Sequence, residues 1–404
     1  MRSGSVFAKL LLAGVLAVSV SETRAARATR PAFAYVNANP PQALGSVLAY
    51  RVGQDGQSSP IAGSPYASGG FGLAPALGSE FAHRIEASRP RNLLFSANDG
   101  SGSISVFRID PLSGALSPVL GSPFTIPNWH AFPGISLAVS DDGRFLYASG
   151  STLVSCFIDD NGALWPIGPQ WQLAQRVGGM AVKYDNSRLY LTIPNGVFIV
   201  GSGEGGLTPD QPAFLSVGST ASDLRLDPAG SRLWVGTKHG GILPYALSED
   251  QISIVPGAPF FASTWNTSGL VTDFYGRFLF SYSPVGPRLL GAHSNANGSL
   301  ELAPDAPLTP LLAPSGAALT PDGSLLLLAT GESKLDAWST RDDGALTHVA
   351  GYPLATGATP GLATVATFPD KNPTPAPANP AWLTLAFATA LALVAARRAP
   401  LARG

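Results

Sequence analysis

Residues 80–84, EFAHR, set a carboxylate, an imidazole and a guanidinium within five positions: Glu80, His83 and Arg84. An imidazole titrates near neutral pH, and a carboxylate and a cation beside it are the residue types that could share proton transfer with it. The remaining histidines, His130, His239, His293 and His348, show no metal-type spacing, so no metal site is expected. The Gly-rich runs at 98–103 and 201–206 lack the Lys-Ser/Thr of a phosphate loop. A Gly-x-Ser-x-Gly elbow is likewise missing, so no serine triad is expected, and nothing in the sequence calls for a cofactor.

What must position these groups is a repeat. The stretch SDDGRFLYASG at 140–150 returns as YDNSRLYLT from Tyr184, LDPAGSRLWVG from Leu226, TDFYGRFLFSY from Thr272, TPDGSLLLLAT from Thr320 and, more loosely, SRPRNLLFSA from Ser88. Each reads as an Asx/Gly turn feeding a strand of large apolar residues. Anchors at Tyr35, Phe95, Tyr147, Tyr190, Trp234, Phe280 and Leu327 define seven units, separated by 60, 52, 43, 44, 46 and 47 residues. That period suits a four-stranded propeller blade. Several units also carry a second hairpin turn, such as DNGAL at Asp160, and some end in GSPY (63–66), GSPF (121–124), GAPF (257–260) or GYPL (351–354). Forty-five glycines and thirty-six prolines oppose helices throughout, so the expectation is an all-β, seven-bladed β-propeller over 33–370. Its ring should close by pairing 361–368 with 33–38, which removes an open sheet edge.

Net charge is −1 and 13% of residues are charged, so nucleic acid is not expected as a partner. Residues 1–25, with Arg2, Lys9 and an uncharged stretch from Leu10 to Ser21, read as a secretory signal peptide. A lone Cys156 excludes an internal disulfide. Residues 371–380 form a Pro-rich linker, and 381–404 a hydrophobic helix with an Arg-rich tail, expected to anchor an exported monomer to a membrane with the propeller outside.

If the SDDG-type turns occupy one face of the disc, the loops on the other face are the expected ligand surface. Its candidates are Asp99, His130, Arg176, Lys238, His239 and Glu332, together with Glu80, His83, Arg84, Trp129, Trp265 and Lys334. The recurring Asp142, Asp185, Asp227, Asp273 and Asp322 belong to the turn face, where Asx-turn chemistry accounts for them.

Residues 92–124, NLLFSANDGSGSISVFRIDPLSGALSPVLGSPF, resemble a blade of the seven-bladed lactonase family, related to 6-phosphogluconolactonase and to muconate-lactonising propellers. The resemblance runs over about 33–370. It implies a histidine at the top of an inner strand with a nearby Glu and arginines, a role that falls here to His83, with Glu80 and Arg84. Two features depart from the family pattern: Ile135 stands at the corresponding place in the next unit, and Gly150, Ser151 and Thr152 replace an Asp-Leu-Gly loop. The C-terminal segment resembles bacterial sorting signals of the Pro-Glu-Pro type, with ANPAW at the motif position. Two functions follow as expectations. One is a surface disc that binds a small molecule, glycan or protein. The other is a lactone hydrolase using His83 as base and Arg84 or Lys238 as the polarising cation.

Overall fold

The protein was described from a computed structural model. It describes residues 32–368, apart from 41–42, 54, 73–82, 127–134, 174, 205, 249–250, 262–265, 284–287, 305, 311, 331 and 358–364. The signal peptide, linker and hydrophobic tail expected at the two ends lie outside the described residues.

Seven antiparallel sheets follow one another along the chain, each starting at the centre of the ring and running outward. The inner strands are Val365–Phe368 in blade 1, then Ile85–Ser88, Ser136–Val139, Met180–Val182, Ala221–Leu226, Gly269–Thr272 and Pro314–Leu319 in blades 2 to 7. They surround a central channel, each packing against its two neighbours. Blade 1 is built from both ends of the chain: Phe33 pairs with Phe368 and Val36 with Val365. The closure expected from the sequence is therefore present, over the last four residues of the segment named.

Apolar side chains gather into seven clusters, one in each gap between adjacent blades, so the core is a ring of wedges. The gap between blades 7 and 1 is filled like the others, by Leu327 and Leu335 against Val36 and Tyr50. All seven anchor residues of the repeat are buried in these wedges. Two of them also tie a blade to the next through their hydroxyls. Tyr35 donates to the Gly114 carbonyl at 2.8 Å, and Tyr147 to Asn186 Oδ1 at 2.7 Å. Such bonds satisfy a polar tip that burial would otherwise strand.

The turns between first and second strands behave as their composition requires. Asp142, Asp185, Asp227, Asp273 and Asp322 each accept from backbone N–H groups two to five residues on. The residue after this Asp cluster takes a left-handed conformation, served by Gly143, Gly230, Gly276 and Gly323 and by Asn186 in blade 4.

The unit endings explain a difference between blades. In blades 1, 2 and 7 the third strand is longer than the fourth, and after the Gly-x-Pro turn the chain returns to cover the uncovered half. In blade 2, for example, Phe107–Ile109 pair with Leu116–Pro118, whereas Ser103 and Ile104 pair with Thr125 and Phe124. Blades 3 and 4 lack the motif. There a nine-residue outer strand, Leu164–Gln172 or Thr208–Ser216, covers the whole third strand across a register shift. Both solutions leave the third strand's backbone groups paired.

Candidate functional site

The channel is crossed by four charged side chains. His83 stands two residues before the inner strand of blade 2, and its carbonyl accepts from Leu137 N at 2.8 Å, which fixes it to blade 3. Its ring reaches blade 5 on the far side of the ring, where Nε2 meets Asp223 Oδ1 at 2.8 Å. Nδ1 meets Glu86 Oε1 at 3.1 Å. Nη1 of Arg225 rests against the same imidazole, 3.0 Å from Nδ1 and 2.5 Å from Nε2. Asp223 is more fully engaged still: Oδ1 also accepts from Leu224 N at 2.8 Å, and Oδ2 from Leu270 N of blade 6 at 2.7 Å. Blade 4 approaches closely enough that a Cβ on Gly179 would lie 2.0 Å from Asp223 Oδ1. Only glycine fits there.

Electrostatics follow from this packing. His83 is 1% exposed and Asp223 fully buried. Burial alone would push the Asp223 carboxyl up; Arg225 and His83 beside it, with the bond from Leu270, outweigh that and hold it below the ordinary carboxylate range. Burial and Arg225 both pull the imidazole down, but Asp223 and Glu86 prevail and raise it above its ordinary value. Both ring nitrogens thus face a carboxylate and the same guanidinium, so each is engaged by neighbouring side chains. His83, Glu86, Asp223 and Arg225 close the channel as one hydrogen-bonded quartet that holds both ring nitrogens of the imidazole.

On the side of the strand-one-to-two turns, Glu86 and Arg225 of the quartet line an open cup of about 800 Å³. Glu86 and Arg225 lie at its deep end, small residues such as Ala138, Ala181 and Ala318 form the wall, and Arg89, Asp141, Tyr184 and Tyr275 stand toward the mouth. Arg89 is exposed to water at the mouth, and the protein around it lowers its pKa from the ordinary arginine value, against the pull of Asp141 and Glu86. The volume is within the range of small-molecule sites.

The residues singled out from the sequence are dispersed. Glu80 and His130, with Trp129 and Trp265, lie outside the described residues. Arg84 and Asp99 do come together, in a buried ion pair at 2.8 Å within blade 2. Burial raises the Asp99 carboxyl despite the opposing pull of Arg84. Arg176 is half-buried on the approach to the inner strand of blade 4; Lys238 and His239 occupy a hairpin of blade 5, and the exposed Glu332 lies 3.9 Å from Lys334 in blade 7. His348 is held by the buried Asp336 at 2.8 Å in the outer part of blade 7, and His293 by Asn295 at 3.3 Å. The partners of His83 are instead Glu86, Asp223 and Arg225. Sequence reading passed over these three, although a signal existed: ASDLRL places two charges in an inner strand whose counterparts, SLAV and GLVT, have none.

The chain is a seven-bladed β-propeller, and its structural neighbours are 6-phosphogluconolactonase-like proteins. One, from Bacteroides fragilis, superposes with a TM-score of 0.65 at 14% identity over 84% of this chain and 98% of its own. A second, from Bacteroides uniformis, gives 0.64 at 12% identity over 84% and 100%. The periplasmic gluconolactonase of Pseudomonas aeruginosa gives 0.63 at 16% identity over 83% and 99%. At such identities the likeness is one of fold. No protein-family model matches the sequence, and no curated protein matches it.

Proposed function

We propose that this chain is an exported, surface-presented binding module, a rigid disc that holds a small molecule in the cup on its turn face. The observation that carries the reading is the state of His83. Its two nitrogens are committed to Asp223 and Glu86, so the imidazole serves as a cross-ring strut beneath an open cavity. The floor above it is preorganised by backbone and ion-pair contacts from blades 2, 5 and 6, which suits tight holding of a ligand.

The likeness to lactonase-like propellers favours lactone hydrolysis as a second reading, and one assay separates the two. Purified protein is incubated with glucono-δ-lactone, its 6-phosphate and a series of γ- and δ-lactones, and acid release is followed. Under the binding reading, release stays at the spontaneous rate for every lactone. Turnover above that rate, abolished in His83→Ala, would establish a lactonase.

A further inference from the structure

We infer that the cup accepts a neutral oligosaccharide, with pyranose hydroxyls taken at its charged floor and sugar faces resting on its tyrosine rim. This deepens the binding reading and depends on it.

The argument starts from which charges remain available. Asp227 and Asp273 line the cup but are spent on their own turns, accepting from Ser231, Arg232, Arg277 and Phe278 backbone N–H groups. Of the floor groups, Glu86 gives Oε1 to His83, while its side chain is 31% exposed into the cavity. Arg225 belongs to the same quartet, with Nη1 against the His83 ring. Nearer the mouth, Arg89 faces Asp141 across the opening. Four carboxylates, Glu86, Asp141, Asp227 and Asp273, line the cup against two guanidiniums, Arg89 and Arg225, so the lining does not attract an anionic ligand. A hydroxyl both donates and accepts, and neighbouring hydroxyls of a pyranose match a carboxylate beside a guanidinium.

The apolar half of the lining completes the match. Alanine, valine and leucine side chains leave the wall wide and smooth. At the rim, Tyr184 is 58% exposed and Tyr275 38% exposed, contributed by blades 4 and 6. Large aromatic surface left in water beside a concave site marks a contact surface, and a tyrosine presents both an apolar ring and a polar tip. Cations already pack on these rings, Arg277 at 4.8 Å from the Tyr275 centroid and Lys183 at 5.9 Å from that of Tyr184, which holds the rings in place. A ligand with polar edges and C–H faces, long enough to run from floor to rim, is a short oligosaccharide.

The test is isothermal titration of the full chain with cellotriose, maltotriose and chitotriose, and with gluconate and 6-phosphogluconate as charged counterparts. At least one neutral trisaccharide should bind with a dissociation constant of 1 mM or tighter, on the order of tenfold tighter than either acid. Glu86→Gln and Tyr184→Ala should each weaken that binding about tenfold or more, the rim variant without change in melting temperature, while Leu120→Ala on the outer edge leaves it intact. Absence of binding by all three trisaccharides, tighter binding of an acid, or indifference to Tyr184→Ala would overturn the inference. Lactone turnover by the wild type would instead remove the reading on which it rests.

Discussion

Replacing Asp223 by alanine isolates the strut that spans the ring. The carboxylate meets His83 Nε2 at 2.8 Å, and it also accepts from Leu224 and Leu270. Removing one member of a buried ion pair costs about 3–5 kcal/mol, because an uncompensated charge is left behind. Two backbone donors lose their acceptor as well, at about 1–3 kcal/mol each where water cannot replace it. Here the cup admits water to one side of the quartet, and the imidazole can shed its proton. Both relax the variant, so the expected loss is about 4–6 kcal/mol. For a ring of this size that is a fall of roughly 6–8 °C in melting temperature. Calorimetry of wild type, Asp223→Ala, His83→Ala and the double variant measures it, and the double variant should be less destabilised than the sum of the singles by at least ~1 kcal/mol. Strict additivity, or a fall under about 3 °C, would refute the claim that these residues act as a cross-ring pair.

Three further outcomes are expected. Stability should show a plateau with two limbs: the His83 contribution is complete below its ordinary pKa of 6.5 and is lost as pH rises through its higher folded value, whereas the Asp223 contribution is complete above 3.8 and is lost as pH falls through its lower folded value. Thermal melts from pH 3 to 9 check this, and His83→Gln should flatten the high-pH limb. Deleting residues 361–404 removes the inner strand of blade 1 with its buried Phe368, and should cost more than the ~3–5 kcal/mol of a single buried Phe truncation. Deleting 374–404 should leave the melt unchanged; equal melts for the two truncations would contradict closure. Gly179→Ala drives a methyl into Asp223, and should reproduce much of the Asp223→Ala loss in the same calorimetry, whereas Gly323→Ala, in a turn with open space around the new carbon, should cost only the ~1–2 kcal/mol of a strained φ.

The repeat made the architecture readable without coordinates. Asx and Gly turns act over four residues, and apolar strands over six, so SDDGRFLYASG and its copies carried the blade count and the buried anchors, and the apolar run after the last unit the strand that closes the ring. The GSPF-type endings were visible too, but their purpose was not: that blades 3 and 4 replace them with a long bulged strand depends on how much of the third strand remains to be paired.

The site was legible only in part. His83 stood out as a residue type capable of chemistry, yet its state is set by Asp223 and Arg225, 140 and 142 positions away, and no local pattern joins residues that meet only because seven blades close around one axis. Sequence determined the elements, since turn conformation and strand burial are short-range. Tertiary structure alone decided that the one promising imidazole is buried with both nitrogens held by charged side chains, because the energy of a charge depends on which opposite charges and how little water surround it.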